Sequence, residues 1–210
     1  MSTSPGTANN QALGAPRGAL PKVKAATATE VCGSANLSSE ALALLTPQGG
    51  VIEFLDLLVN HKLMPDAVSL MAHALPKREA VWWGCLAART LIDDHTRPEI
   101  VAALEAAEAW VYKPSEETRR AAMERARKTQ FDHPAAWAAV AAFWSGGSMV
   151  APDLPEVPPA AHLTGLAICG AVQLSAVSRN PERAPEKFRA LLAQALDIAN
   201  GGTGRLDKAS

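Results

Sequence analysis

The chain has 210 residues, of which 48% are hydrophobic and 20% are charged; this composition excludes a disordered polypeptide and predicts one globular domain, or at most two. Its 20 basic and 21 acidic residues give a net charge of −1, which excludes a global field that would draw the protein onto nucleic acid or an anionic membrane. Alanine is abundant and aromatic residues make up only 5%, so closely packed helices are favoured over β-sheet.

Both ends of the chain are predicted to form tails. Residues 1–35 are rich in Ala, Gly, Ser, Thr and Pro, and they contain few large apolar side chains whose burial could offset the entropy of ordering, which predicts a disordered tail. They contain no continuous apolar segment behind a basic one, so we expect no secretory signal. Residues 201–210 begin with two glycines, which predicts a helix stop and a flexible C-terminal tail. The single helical domain is therefore predicted to span residues 36–200.

Prolines indicate where the helices of this domain begin. Proline is tolerated at the first position of a helix, where its missing N–H would have no partner. A further short helix is predicted at residues 39–45. The pattern predicts about eight helices in an all-α fold, either an irregular helical bundle or a short HEAT-like stack. The predicted starts are Pro47, Pro65, Pro76, Pro98, Pro114, Pro134, Pro158 or Pro159, and Pro185.

The segment LPKREAVWWGCLAAR, residues 75–89, is predicted to be the central helix of the fold. Pro76 starts it, and every position from 80 to 88 is apolar, so we expect a helix that is buried on all sides. Trp82 and Trp83 lie about 100° apart around such a helix and face different neighbours. We expect both indole rings to lie in a dry interior. Gly84 is predicted to let another backbone approach closely.

The charged segment at residues 115–129 is predicted to be a helix with most of its surface in water. Its charges include the pairs Glu116–Arg120 and Glu124–Lys128, which have the favourable i, i+4 order. We expect the small apolar residues to face the body of the protein. These residues are Ala121, Ala122 and Ala126.

The longest apolar tract, residues 160–177, is predicted to be a buried central helix. Its 18 residues reach the length at which a membrane span becomes possible, but four polar residues interrupt it, so we expect no membrane span. The proline-rich connection at residues 147–160 precedes it. Because connections of this length within a domain are often functional or mobile, this loop and the N-terminal tail are candidate contact regions.

The sequence IDDH contains the residues most similar to a set of metal ligands. Asp93, Asp94 and His95 supply oxygen and nitrogen donors that could hold a divalent metal. Neighbouring residues on one loop rarely converge on one ion without donors from elsewhere. The alternative interpretation is that the aspartates end one helix and prepare the start of the next at residues 96–98.

The three cysteines, Cys32, Cys85 and Cys169, indicate reduced thiols rather than a disulfide or a metal site. Their number is odd, and none has CxxC or Cys/His ligand spacing, which is typical of a cytoplasmic protein. Cys85 is the only candidate for a nucleophilic thiol. It lies in the most apolar stretch of the chain, so we expect a raised pKa and little reactivity.

The histidines are not predicted to form a cluster. His73 and His162 are each expected to be packed and bonded to a backbone carbonyl, whereas His61 and His133 flank helix ends. The phosphate-binding patterns GxGxxG and GxxxxGK[ST] are absent from the sequence. We therefore predict no catalytic, cofactor or metal site from the residues.

Residues 66–83, DAVSLMAHALPKREAVWW, carry a resemblance to a known group. The segment resembles an uncharacterised bacterial family with a DAxxxxAxALPxREAVWW-type signature, and the similarity continues to about residue 180. The resemblance implies a gene context near type VI secretion genes in proteobacteria, and hence an accessory role beside that machine. The matching positions are Asp66, Ala67, Ala72, Ala74, Leu75, Pro76, Arg78, Glu79, Ala80, Val81, Trp82 and Trp83.

The middle of the chain is also similar to small helical proteins classed as putative toxin-immunity proteins. In those proteins a helix of the type RPxxAxxAAxxW precedes a helix rich in Arg and Ala. Here Arg97 and Pro98 are followed, two residues later than in that pattern, by the same AxxAAxxW spacing and then by an Arg- and Ala-rich helix, although this chain lacks the usual His-containing helix of that group. The similarity implies a helical binding scaffold. The shared residues are Arg97, Pro98, Ala103, Ala106, Ala107, Trp110, Arg120, Ala121 and Ala122.

The sequence thus favours a non-enzymatic protein-binding accessory factor of the bacterial cytoplasm, an adaptor or chaperone associated with type VI secretion. The alternatives are an immunity protein that neutralises a toxin, and a metal-dependent enzyme centred on Asp93, Asp94 and His95. The expected partner is a protein, namely a secretion component, an effector or a toxin, and the oligomeric state is left open. Arg78 and Glu79 are predicted to take part in an interhelical ion pair. The structural signature is Pro76, Arg78, Glu79, Trp82, Trp83, Pro98 and Trp110.

Overall fold

The computed structural model describes residues 20–206, and within that range it contains ten α-helices and no β-strand. The all-α prediction is therefore confirmed for this part of the chain. A short 3-10 turn, Pro181–Arg183, leads directly into the last helix. The helices are α1 (Ala28–Cys32), α2 (Ser39–Ala43), α3 (Val51–Asn60), α4 (Met64–Ala74), α5 (Lys77–Arg89), α6 (Pro98–Tyr112), α7 (Glu116–Lys128), α8 (Pro134–Phe143), α9 (Leu163–Val177) and α10 (Ala184–Ala199).

Prolines lie at the start of most of the longer helices, as the sequence predicts. Pro98 and Pro134 are the first residues of α6 and α8. Pro65 and Pro185 are the second residues of α4 and α10, and Pro76 immediately precedes α5. At these positions the fixed φ angle of proline suits the helix start, and its missing N–H leaves no intrahelical hydrogen bond unmade.

Two of the predicted helix starts are wrong. Pro47 lies in a turn, which is closed by a hydrogen bond of 3.1 Å from the Gly49 N–H to the Thr46 carbonyl, and α3 begins only after this turn. Proline suits the second position of such a turn as well as it suits a helix start. Pro158 is followed by Pro159, and a residue before proline is restricted to extended conformations, so the loop continues to the start of α9.

Helices α5, α8 and α9 pack against one another at the centre of the fold. Every residue of α8 is apolar, and all except the half-buried Trp137 are buried. A β-carbon on Gly84 of α5 would lie 2.6 Å from the Cδ1 atom of Ile168 on α9. The close approach predicted at this glycine is therefore present, but a side chain fills the space instead of a second backbone.

The two adjacent tryptophans of α5 have different environments. Trp83 is fully buried, and its indole N–H donates a hydrogen bond of 2.8 Å to the Leu191 carbonyl of α10. Trp82 is only partly buried, as is Leu86 one turn later. The prediction of a dry interior is therefore correct for Trp83 and wrong for Trp82. An unbroken apolar run shows that no face of α5 is polar, but it does not show that every face has a neighbouring helix.

The predicted N-terminal tail is wrong for its second half. Residues 20–35 contain α1 and pack onto the body of the protein, with Leu20 and Val31 among the buried residues. The Lys22 N–H donates to the Ala199 carbonyl at 3.0 Å, which attaches this segment to the end of α10. A few apolar side chains and backbone hydrogen bonds are enough to order a segment whose average composition is that of a tail. Residues 1–19 lie outside the described residues.

The first part of the predicted C-terminal tail also packs onto the body. Gly204 is buried, and its N–H donates a hydrogen bond of 2.8 Å to the Asp197 carboxylate. The backbone N–H groups of Gly201 and Gly202 bond back to the last turn of α10, so the predicted helix stop is present. The segment 201–206 is therefore a folded extension of α10, and residues 207–210 are not described.

Helix α7 is solvated on most sides, as predicted, but its inner face differs from the prediction. Ala122 and Ala126 are buried, whereas Ala121 is exposed. The inward position one turn earlier belongs to Arg119, whose side chain is only 4% exposed. Its guanidinium donates to the Phe143 carbonyl at 2.6 Å, and it also bonds to the Glu116 carboxylate. Burial in α7 therefore follows the position of a residue on the helix more than its type, because an arginine with hydrogen-bond partners can be buried.

Helix α9 is central, as predicted, but its predicted burial is incomplete. It contacts α4, α5, α8 and α10, yet Leu166, Leu174 and Val177 are exposed along one face. Among residues 20–206, no helix has both the length and the apolar character that crossing a membrane requires.

Candidate binding site

An open cleft of about 390 Å³ lies beside the signature segment. Its walls are the first turns of α5 and the C-terminal ends of α6 and α10, together with the segments that flank the helical domain at residues 20–23 and 201–205. We call it the Trp82 cleft. Its charged and aromatic side chains are Lys22, Arg78, Glu79, Trp82, Tyr112 and Arg205.

Two aromatic rings contribute apolar surface to the Trp82 cleft. The centroids of the Trp82 and Tyr112 rings are 5.9 Å apart and the ring planes are tilted by 59°, a common geometry for aromatic pairs. The Trp82 indole N–H donates a hydrogen bond of 2.7 Å to the Thr203 carbonyl, which fixes the orientation of the ring. Tyr112 is 65% exposed, so the pair presents apolar surface to solvent.

Arg205 lies over this aromatic pair. Its guanidinium carbon is 5.1 Å from the centroid of the Trp82 ring, within the range of a cation–π contact. One of its terminal nitrogens is 3.4 Å from the Tyr112 hydroxyl. Within residues 20–206, no protein acceptor takes the other N–H groups of this guanidinium, which leaves them directed to solvent and to any bound group.

Arg78 joins the start of α5 to the end of α6. Its Nε atom donates to the Val111 carbonyl at 2.6 Å, and a terminal nitrogen lies 3.4 Å from the Tyr112 carbonyl. These are unpaired carbonyls of the last helical turn, where a cation is favourable. Arg78 therefore stabilises the end of α6, and its positive charge meets no carboxylate in these contacts.

Glu79 forms its ion pair with the N-terminal segment. Its carboxylate accepts a hydrogen bond of 2.7 Å from the Lys22 ammonium. The predicted interhelical ion pair is therefore wrong, because Lys22 lies outside the helices and Arg78 bonds to carbonyl groups. Three cationic side chains and one carboxylate line the Trp82 cleft, which gives a local charge of +3 − 1 = +2.

The candidate metal ligands lie elsewhere, in the turn between α5 and α6. One Asp93 oxygen accepts hydrogen bonds of 3.0 Å from the His95 N–H and from the Thr96 hydroxyl, and the other accepts one of 2.8 Å from Arg179. These bonds, first of all the one from Thr96, lower the pKa of Asp93. Asp93, Asp94 and His95 are all exposed, and no group of three or more potential ligands is arranged to hold a metal in the described part of the chain. The contacts match the alternative interpretation, a turn that prepares the start of α6.

The candidate nucleophile Cys85 lies in the core. It is fully buried, and burial raises the pKa of its thiol well above the ordinary value, as predicted. Cys32 and Cys169 are half-buried, and burial raises the pKa of each thiol as well. All three thiols are free, and none of them lines the Trp82 cleft.

Two of the histidines, His73 and His162, lie near each other, which the sequence did not predict. His73 donates from Nδ1 to the Ser69 carbonyl at 2.9 Å, as expected of a packed histidine, and its buried Nε2 atom has no partner in the described residues. Burial lowers the pKa of His73. His162 itself is exposed at the start of α9, so its predicted burial is wrong.

His61 and His133 lie at helix ends, as predicted. His133 precedes α8, and its Nδ1 atom accepts a hydrogen bond of 3.1 Å from the Ala135 N–H. Burial lowers the pKa of His133. His61 directly follows α3. Both therefore belong to the connections between helices and take no part in the Trp82 cleft.

The structural signature divides into two sets of residues. Arg78, Glu79 and Trp82 meet in the Trp82 cleft. Trp83 and Trp110 are buried in the core. The two prolines of the signature mark the starts of α5 and α6, as described above. The structure therefore brings three of the predicted residues together at one surface and gives the other residues packing or helix-starting positions.

Sequence reasoning missed three residues of the cleft, Lys22, Tyr112 and Arg205. Lys22 and Arg205 belong to segments predicted to be tails, and Tyr112 ends α6 just beyond its apolar stripe. The one available signal was Tyr112, the only tyrosine of the chain, at the end of a one-faced helix. No local pattern shows that three such distant segments meet.

A family model described as a family of unknown function (DUF6931) matches residues 54–199. The chain belongs to this family. The region shared with DUF6931 runs from within α3 to the last residue of α10, so it includes Arg78, Glu79, Trp82 and Tyr112. Lys22 and Arg205 lie outside it. No curated protein matches the chain, and no solved structure does.

Proposed function

We propose that this DUF6931 protein is a non-enzymatic protein-binding factor of the bacterial cytoplasm, an adaptor or chaperone that acts beside type VI secretion. We propose the Trp82 cleft as its binding site. The observation that carries this proposal is the convergence of Trp82, Tyr112 and Arg205 on one open surface. Tryptophan, tyrosine and arginine are the residue types that contribute most to binding energy at protein interfaces.

The hydrogen bonds that hold the lining side chains of the cleft in place support a binding role. Trp82 is held by its hydrogen bond to Thr203, and Arg78 is held by the carbonyls at the end of α6. Because these side chains are already ordered, a partner would lose little side-chain entropy on docking. The three free cysteines agree with a cytoplasmic location, since that compartment keeps thiols reduced.

The link to type VI secretion rests on the resemblance of residues 66–83 to the family signature. That segment supplies Arg78, Glu79 and Trp82 to the cleft, so it contributes to the proposed site as well as to the core. The immunity alternative rests on the similarity of α6 and α7, and Tyr112 at the end of α6 would belong to its binding surface too. The two hypotheses therefore share a site and differ in the partner.

Site-directed photo-crosslinking tests the proposal in a bacterium that encodes the protein. Tyr112, which is 65% exposed in the cleft, is replaced by p-benzoylphenylalanine, and cross-linked proteins are identified by mass spectrometry. The control carries the same photo-crosslinker in place of Phe131, which is 38% exposed at the turn between α7 and α8. We expect a type VI secretion component or effector to be cross-linked at position 112 and not at 131.

A second pair of variants shows whether the captured protein occupies the cleft. Trp82→Ala removes one ring of the aromatic pair in the cleft, whereas Trp137→Ala removes another half-buried tryptophan that lies outside the cleft. We expect Trp82→Ala to weaken the interaction by about tenfold or more, and Trp137→Ala to leave it within about twofold. A partner that is a toxin, lethal to cells that lack this protein, would favour the immunity alternative. No specific cross-link at position 112 would refute the proposed cellular role.

A further inference from the structure

The charges around the Trp82 cleft indicate what kind of partner it binds. We propose that the cleft binds an acidic peptide segment of a partner protein, in which an apolar side chain lies beside Asp or Glu residues. This inference rests on the proposed function, which names a protein partner and a site but not the chemistry that the site recognises.

The local charge of the cleft has the opposite sign to the net charge of the chain. The chain carries −1, whereas three cationic side chains and one carboxylate give the cleft +3 − 1 = +2. A local excess of one sign on a nearly neutral protein attracts groups of the other sign to that place. The complementary occupant is therefore an anion.

The two arginines carry this excess charge, because the third cation is already paired. The Lys22 ammonium is 2.7 Å from the Glu79 carboxylate. Arg78 bonds only to uncharged carbonyls, and Arg205 contacts an aromatic ring and a hydroxyl. A guanidinium with unused N–H groups binds a carboxylate through two parallel hydrogen bonds, which a lysine cannot match. Carboxylate groups thus fit the charged part of the cleft.

The aromatic pair indicates that the occupant also carries an apolar group. The Trp82 and Tyr112 rings line the cleft together with the two arginines, and the pair presents apolar surface to solvent. An occupant with charge alone would leave this surface uncovered. A peptide with an apolar side chain next to acidic residues would cover the rings and reach the guanidinium groups together.

A nucleic acid fits these observations less well. Nucleic-acid binding depends on many phosphate contacts along an extended basic surface. The excess charge described here belongs to a single cleft of about 390 Å³, and the whole chain is slightly acidic. A short acidic peptide matches this size and charge.

Fluorescence anisotropy with the full-length protein tests the inference. The probe is an end-blocked, fluorescein-labelled peptide EEFEE, and its controls are QQFQQ, which lacks charge, and EEAEE, which lacks the large apolar group. We expect EEFEE to bind at least about tenfold more tightly than either control, because it alone satisfies both parts of the cleft. Added salt should weaken the binding of EEFEE and leave QQFQQ nearly unchanged.

A matched pair of arginine variants locates the site. Arg205→Gln should weaken EEFEE binding by about tenfold and leave the weak binding of QQFQQ unchanged. Arg125→Gln makes the same charge change on the exposed face of α7, outside the cleft, and should have no effect. Circular dichroism of both variants checks that they remain folded.

Four outcomes would overturn the inference. They are no binding of EEFEE at millimolar concentration, equal binding of EEFEE and QQFQQ, no response to Arg205→Gln, and tighter Arg205-dependent binding of a single-stranded oligonucleotide. The result is separable from the proposed function. A partner cross-linked at position 112 without EEFEE binding refutes only the acidic chemistry. EEFEE binding without any cross-linked partner supports the chemistry and refutes the cellular role.

Discussion

Two adjacent tryptophans show how neighbouring positions on one helix can have structural and surface roles. Trp83 faces the core and bonds to a carbonyl of α10, whereas Trp82 faces the cleft and bonds to the segment after α10. The angle of about 100° between successive helical residues is enough to separate them. The sequence predicts the angle between the two side chains of α5, but it does not show which face of α5 is covered by another helix.

This difference predicts unequal costs for the same substitution. Trp83→Phe should lower the free energy of unfolding by about 2 kcal/mol, because it leaves a cavity in the core and removes a buried hydrogen bond. Trp82→Phe keeps an aromatic ring at a half-open site and should cost less than about 1 kcal/mol. Urea unfolding followed by far-ultraviolet circular dichroism measures both values without depending on tryptophan fluorescence.

Iodide quenching gives an independent check of the same assignment. In the folded protein, Trp82→Phe should remove an accessible emitter and lower the quenching, whereas Trp83→Phe should not lower it. Equal unfolding costs for the two variants, or unchanged quenching in Trp82→Phe, would contradict the orientation of α5 described here.

The helices were predictable where a local signal determined them. Pro98 and Pro134 begin helices because the geometry of proline acts on its own residue and its immediate neighbours. The same signal failed at Pro158, because the following proline holds it in an extended conformation. Burial was less predictable than helix position. Arg119 is buried and Ala121 is exposed, since packing partners far along the chain decide which face turns inward.

Two glycines within α9 test how packing modifies helix propensity. A β-carbon on Gly165 would lie 2.5 Å from the Cδ2 atom of His73, whereas one on Gly170 would have no atom within 4 Å. Gly170→Ala should stabilise the protein by about 0.5–1 kcal/mol, since alanine is the better helix former. Gly165→Ala should destabilise it by about 1–3 kcal/mol, because His73 is held by its bond to Ser69 and cannot move freely.

Thermal or urea unfolding of the two alanine variants measures the difference directly. The two substitutions are chemically identical and lie in the same helix, so helix propensity cancels between them. Variants of equal stability would mean that His73 can move aside, and the close packing of α4 against α9 would then need revision.

At the scale of the whole molecule, the Trp82 cleft is built from residues inside the family region and from segments on either side of it. Residues 54–199 supply Trp82 and Tyr112, while Lys22 and Arg205 come from either side of this region. The all-α fold could be predicted because composition and helix periodicity are local properties of the chain. The cleft could not, because its residues are distant in sequence and share no spacing that marks them as neighbours.

Removal of the C-terminal segment should therefore expose one side of the cleft without unfolding the core. A chain that ends at Asn200 loses the hydrogen bond from Trp82 to Thr203 and the bond from the Gly204 N–H to Asp197. We expect a loss of about 1–2 kcal/mol in unfolding free energy, which corresponds to a fall of roughly 2–8 °C in Tm for a chain of this size. Trp82 should also become more accessible to iodide.

The matched control is a chain that ends at Leu206, which keeps both bonds and Arg205. We expect it to retain the Tm of the full-length protein within about 1 °C, because it loses none of the contacts described here. If the chain that ends at Asn200 is as stable as this control and no more readily quenched, the segment 201–206 does not cover Trp82 in solution. The cation–π contact of Arg205 and the charge assigned to the cleft would then have to be abandoned, whereas the helical core would stand unchanged.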